Sequence, residues 1–175
     1  MPNSTVRRAT SSTAAFGASW SRSTRLLTAV FFVCSLAILA ICYPPSPFFY
    51  GTTGLVIFAL ALAFWYAPVG YRIDSAAIQV ERRAGPFPIP FDLLRSARLM
   101  EPAELAETTW RWPSVGGLFG FYGTFETPAL GRHRWYASRD ENLVVLQTTR
   151  GPVVISPDDP ATFVREVNQR LRMRI

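Results

Sequence analysis

Leu26–Tyr71 reads LLTAVFFVCSLAILAICYPPSPFFYGTTGLVIFALALAFWYAPVGY, with no Asp, Glu, Lys, Arg or His. Its one interruption is Pro44-Pro45-Ser46-Pro47. A charge-free run of this length predicts two membrane-spanning helices, about 26–43 and 49–68, joined by a proline-rich turn. As a helix, Leu26–Tyr43 would reach roughly 27 Å, close to the hydrocarbon core of about 30 Å. The prolines lack backbone donors and break a helix, so they belong outside the hydrocarbon, at the tip of a hairpin. Tyr43, Phe48, Phe49 and Tyr50 crowd one end of the pair, and Trp65, Tyr66 and Tyr71 the other. That is the placement expected of amphipathic rings at the two interfaces.

The flanks give the hairpin a direction. Arg7, Arg8, Arg22 and Arg25 precede it without an acidic residue, and Arg72, Arg82 and Arg83 follow it, whereas the turn is uncharged. The positive-inside rule then places both termini in the cytoplasm. Residues 1–25 read as a basic, disordered tail, because Asn3–Ser19 is rich in Ser, Thr and Ala. Three processing signals fail. The apolar run is too long for a cleaved signal peptide and a second run follows at once. Ile41 is too bulky for a lipoprotein box ending at Cys42, and Thr10-Ser11 follows Arg7-Arg8 where a twin-arginine signal needs apolar residues. Cys34 and Cys42 lie too far apart along one helix to bridge, and read as small packing residues.

The net charge is +6, and all 18 basic residues are arginine. The four arginines of the tail account for most of the excess, leaving residues 71–175 nearly balanced. A nucleic-acid domain would show a basic face and a recognisable module, so nucleic acid is excluded as a partner.

Residues 71–175 suffice for one compact domain. Tyr71/Ile73, Ile78/Val80 and Phe87/Ile89/Phe91 alternate with polar or proline neighbours and predict strands, separated by turns at Asp74-Ser75 and Arg83-Ala84-Gly85. Asp92 is expected to cap a short helical turn over 92–95, with a strand around Ala97 and Leu99. Glu101–Ser114 reads as a long connection. Strands are then expected at Phe119–Thr127, Arg132–Ala137, Leu143–Thr148 and Val153–Ser156, the pattern of a small sandwich or barrel. Asp159 is placed to cap a final helix with Pro160 at its first position. Phe163, Val164, Val167 and Leu171 form its apolar face, and the helix should plug one end of the sheet.

Several of these segments together resemble the bacterial PH-like (pleckstrin-homology-like) membrane proteins. They are Tyr71-Arg72-Ile73-Asp74, Ile78-Gln79-Val80, Pro90-Phe91-Asp92, Gly116–Gly131 leading into Trp135-Tyr136-Ala137, and Ile155-Ser156-Pro157-Asp158-Asp159-Pro160 with Phe163. The resemblance implies a membrane-anchored chain: a transmembrane helical hairpin followed by a mostly-β, PH-like split barrel capped by one C-terminal α-helix. It implies no catalysis and no cofactor.

The candidate sites are few. Arg72, Arg82 and Arg83 stand near the first hairpin, where guanidinium forks could meet lipid phosphate; a solvated turn is the plainer reading. Trp110, Trp112 and Trp135 could form a partner surface, with core packing or a loop on the bilayer as the favoured alternative. The Gly116–Gly123 run lacks the order and flanking elements of a nucleotide loop, so its glycines read as allowing a bend and its aromatics as packing. His133, the one histidine, has no companion ligands for a metal and reads as a solvated strand residue whose charge Arg132 and Arg134 oppose. Asp158-Asp159 reads as capping. The expectation is a non-enzymatic membrane protein whose partners are the bilayer and an unnamed protein. The alternative is a module binding anionic lipid headgroups or a small ligand.

Overall fold

The computed structural model describes residues 13–41, 47–105 and 109–174, with the side chains of residues 39, 40, 47, 48 and 109–115 left aside. The proline turn, Cys42, Tyr43, Arg7, Arg8 and the side chains of Trp110 and Trp112 therefore lie outside the described parts.

A four-residue strand, β1 (Ala14–Gly17), precedes the helices α1 (Arg22–Ile41) and α2 (Pro47–Tyr66). Nine strands follow: β2 (Pro68–Ile73), β3 (Ala77–Arg82), β4 (Phe87–Pro90), β5 (Leu94–Leu99), β6 (Thr109–Gly116), β7 (Phe121–Thr127), β8 (Gly131–Ala137), β9 (Val144–Thr148) and β10 (Val153–Ile155). Helix α3 (Pro160–Arg172) closes the chain. One sheet has the order β1-β2-β3-β4, the other β5-β9-β10-β8-β7-β6. All pairings are antiparallel except β10 on β8.

Among the described residues, one helix is long and apolar enough to cross a membrane, over Phe49–Tyr66. Its apolar residues surround the whole helix, and none of that window is buried against protein. That is the pattern of a helix whose surroundings are themselves apolar. In α1 the side chains of Leu26, Val33 and Leu36 are likewise exposed. Cys34 is exposed too, and does not pack as its size led us to expect.

Three other expectations change. Ala14–Gly17 falls in the stretch read as a disordered tail, yet it pairs with Gly70–Ile73, and Phe16 meets the Phe163 ring edge-on at 5.0 Å. The connection expected over 101–114 contains β6, which pairs with β7 across a register shift between Arg111 and Ser114. A bulge there absorbs Pro113, which cannot donate to a ladder. Asp92 caps nothing: the short turn is Phe91–Leu93, Pro90 occupies its cap, and Asp92 instead bonds Arg174 at 3.2 Å.

The main core lies between the two sheets and under α3. Tyr71, Ile73, Ile78, Val80, Val144, Leu146, Ile155, Phe163 and Val167 are buried there. The Asp159 side chain accepts from Thr162 N at 3.0 Å, and Pro160 follows, as the sequence predicts. Asn168 on α3 both accepts from Ala97 N and donates to Ala97 O, so the helix satisfies a residue of β5. Strands β9 and β10 are buried on both faces, and β8 buries the face that carries His133, Trp135 and Ala137. Val145, Val154, Trp135 and Ala137 point away from the first core into a second one, with Phe125 and Leu143.

His133 belongs to that second side. It is buried rather than solvated, beside Trp135, with Nδ1 2.7 Å from Gly131 O. Burial, not the flanking arginines, holds its pKa below the ordinary 6.5, against the opposing pull of Gly131 O and Glu126. The unfolded chain therefore binds more protons than the folded one once the pH drops below that value. The stability this residue contributes is complete above it and is lost as pH falls through the folded pKa. Melting curves between neutral pH and about pH 5 should show a fall in Tm that is smaller in His133→Phe. An equal fall in both would assign the acid sensitivity to other groups. Asp159→Ala should lower the denaturation midpoint through loss of the cap.

Candidate functional site

Helix α2 stops where Pro68 disfavours the helical conformation of Ala67. The last carbonyls of any helix need donors from elsewhere. Here the β-domain supplies donors to two of them and a second donor to Ala63 O, which also accepts from Ala67 N. Tyr122 Oη donates to Ala63 O at 2.6 Å, Arg83 Nη1 to Phe64 O at 3.3 Å, and Ala84 N to Trp65 O at 3.0 Å. The Arg83 guanidinium also lies 3.8 Å over the Phe64 ring. Arg82 sits between the Tyr66 and Phe87 rings, at 5.8 and 5.4 Å, and bonds Gly85 O. Two cations at the C-terminal end also suit the helix dipole.

The root of α1 is built just as closely. Ser21 Oγ accepts from Thr24 N, capping the helix. Ser19 donates to Asp158 through both its N–H and its hydroxyl, each at 3.0 Å. Asp158 also pairs with Arg139 at 3.2 Å, and its own N–H donates to Gly17 O. Asp158 is thus an anchor for the segment entering α1, not a cap. Behind it, the buried Tyr71 hydroxyl donates to Tyr136 O and accepts from Ser156 N. Ser156 Oγ accepts from Ser138 N, and Ser138 Oγ donates to Ser19 O. Burial pushes the Tyr71 hydroxyl up to about 12, so it remains a neutral member of this chain of bonds.

Between the two roots sits the turn from β6 to β7. Gly117, Phe119 and Gly120 all have positive φ, and Phe119 at +60° is the non-glycine among them. Such a conformation is costly for a bulky residue and persists where the surroundings over-determine it. Here the strained backbone places the Phe119 ring between Trp20, before α1, and Phe64, on α2. A Cβ on Gly120 would come within 2.7 Å of Ala137 O, so glycine is required. The Gly/aromatic run is therefore structural in this position: it wedges the β-domain between the two helix ends.

Of the residues singled out from sequence, Arg82 and Arg83 meet at the end of α2, while Arg72 is paired with Glu81 on the next strand. Trp135 is buried in the second core and offers no surface to a partner. The residues that sequence reading missed are Tyr122, Ser19, Ser138 and the role of Asp158. A tyrosine in an aromatic run carries no mark of the distant carbonyl it will meet. Among the described residues no group of three His, Cys, Asp or Glu is arranged to hold a metal ion.

Burial also raises the Tyr122 hydroxyl, so it donates as a neutral group at all ordinary pH values. Tyr122→Phe should lower stability by about 1 kcal/mol through loss of its bond to Ala63. Tyr136→Phe serves as the control, and matched thermal melts of the two variants in neutral detergent compare them. Equal melting temperatures would mean that the end of α2 is held without Tyr122.

Comparison with curated proteins gives no match, and comparison with solved structures gives none. A family model for the bacterial PH domain matches residues 69–171. That match runs from the root of α2 to the end of α3 and covers both sheets. The chain belongs to the bacterial PH domain family.

Proposed function

We propose that this is an integral membrane protein of the bacterial plasma membrane. Helices α1 and α2 form a transmembrane hairpin, both ends are cytoplasmic, and the PH-like domain is presented to a protein partner. The observation that carries the reading is the pairing of β1 with β2. Gly17 lies opposite Gly70, so the chain before α1 and the chain after α2 are hydrogen-bonded neighbours in one sheet. Two helices of similar length that start and finish at neighbouring backbone positions must leave and return on the same side. Their exposed apolar side chains then face lipid, and the arginines at their roots lie on the positive-inside side.

PH domains are in general non-catalytic interaction modules, and the described residues offer no nucleophile, base and orienter within reach of one another. Membrane confinement supplies the mechanism, because a tethered domain meets other membrane components at an effective concentration of up to about millimolar. The tether is short: Ala67 alone separates α2 from β2.

A second reading has its own support. If α2 spans the bilayer, Arg82 and Arg83 stand at headgroup level at its end, with Arg72 on the adjoining strand. They would then contact anionic lipid while holding the helix. Arg82→Gln with Arg83→Gln should reduce the phosphatidylglycerol retained through detergent purification, measured as bound phosphorus. Unchanged lipid would end that reading.

Topology is tested with alkaline phosphatase and fluorescent-protein fusions at Ile175. The fluorescent fusion should be bright and the phosphatase fusion inactive. An active phosphatase would place the C-terminus outside and overturn the proposal.

A further inference from the structure

Beyond the helix roots, the domain holds a cleft of about 540 Å³ between the edge strand β4 and the β8–β10 side of the second sheet. Phe87 and Ile89 line one wall, and Arg132, Arg134 and Arg150 stand on the other. The volume falls in the range of small-molecule sites, roughly 300–1,000 Å³. No acidic residue lines it.

Sequence spacing and topology bring the three cations together. Arg132 and Arg134 are two apart on β8 and so share a face, while His133 between them turns into the second core. Pairing of Val153 with Arg134 carries the turn before β10 alongside, and Arg150 is in that turn. All three arginines are exposed, and none forms an ion pair among the described residues. Four other arginines of the domain do have acidic partners: Arg72 with Glu81, Arg98 with Glu104, Arg139 with Asp158 and Arg174 with Asp92. The cleft gathers three arginines on one wall with no acidic residue in its lining; Glu126 stands opposite Arg132 on the neighbouring strand, but no ion pair joins the two.

We infer that this cleft binds a small, water-soluble organic phosphate. Arg132, Arg134 and Arg150 hold the phosphate, for which guanidinium forks are well suited. The organic part lies on the half-buried Phe87. Phe87 on one wall meets Arg82 near the end of α2, but the place of the arginine wall selects a soluble ligand over a bilayer lipid. The helices root at the Ala137 end of β8, where Ser138 bonds Ser19 and Phe119 meets both helix ends. Along the strand Arg134 is roughly 10 Å, and Arg132 roughly 17 Å, from that end. The inference holds whichever way the hairpin faces.

The test is calorimetric titration of the full chain in neutral detergent with phenyl phosphate, inorganic phosphate and phenol. Phenyl phosphate should bind more tightly than either half. Arg132→Gln with Arg134→Gln should weaken it about tenfold or more, as should Arg150→Gln on its exposed turn, while Arg172→Gln on α3 leaves it unchanged. Absence of binding up to about 10 mM, or equal affinity in wild type and the cleft variants, overturns the site. The same titration in phosphatidylcholine nanodiscs, with and without phosphatidylglycerol, separates the sources of phosphate. Equal affinities support a soluble ligand. Loss of about tenfold or more with phosphatidylglycerol present would assign the cleft to lipid headgroups and overturn the soluble source.

Discussion

Antiparallel pairing of Ala14–Gly17 with Gly70–Ile73 is the constraint on which the rest of this molecule depends. It joins the segment that enters the first helix to the segment that leaves the second. The backbone bonds involved are few, but they are local to one sheet and closely supported. Phe16 packs on Phe163 from one side, and Asp158 holds Gly17 and Ser19 from the other. Without this pair the root of α1 would be tied to the domain only through side-chain contacts such as those of Ser19 and Trp20. With it, both helix roots are parts of the β-domain itself.

Helix ends demand partners, and the domain is arranged to provide them. Tyr122, Arg83 and Ala84 each donate to one carbonyl of the last turn of α2. Phe119 accepts an unfavourable backbone conformation to fill the gap between the two helices. Rigid coupling follows, because three donors and a ring cannot all be kept through a large swing of the domain. A domain fixed in this way presents one face to the helix roots and the opposite end to its surroundings. Arg132 and Arg134 of the cleft lie toward that opposite end, along β8 from Ser138.

How much was legible beforehand depended on whether the signal was local. The final helix was readable because Asp159, Pro160 and the Phe163/Val167 spacing all lie within a few residues. Alternation marked β2, β3 and β4, and the apolar runs marked β9 and β10. In contrast, β1 is the four residues AAFG, too short for alternation to register, and it exists because β2 offers a free edge. Strand β6 was hidden by Pro113, which reads as a break unless a bulge accommodates it. His133 was misplaced because Arg132 and Arg134 make its neighbourhood look solvated, whereas a strand alternates its faces and sends the odd residue inward.

By itself, then, the sequence determined the charge-free run, the mostly-β domain after it, the capped helix at the end and the family, since periodicity, charge and capping act between near neighbours. Tertiary structure alone decided that β1 closes the base, that Tyr122 and Arg83 finish α2, that Asp158 anchors rather than caps, and that Arg132, Arg134 and Arg150 share one cleft. Each of these joins residues far apart in the chain, and no local pattern encodes a partner that only folding brings within a hydrogen bond's length.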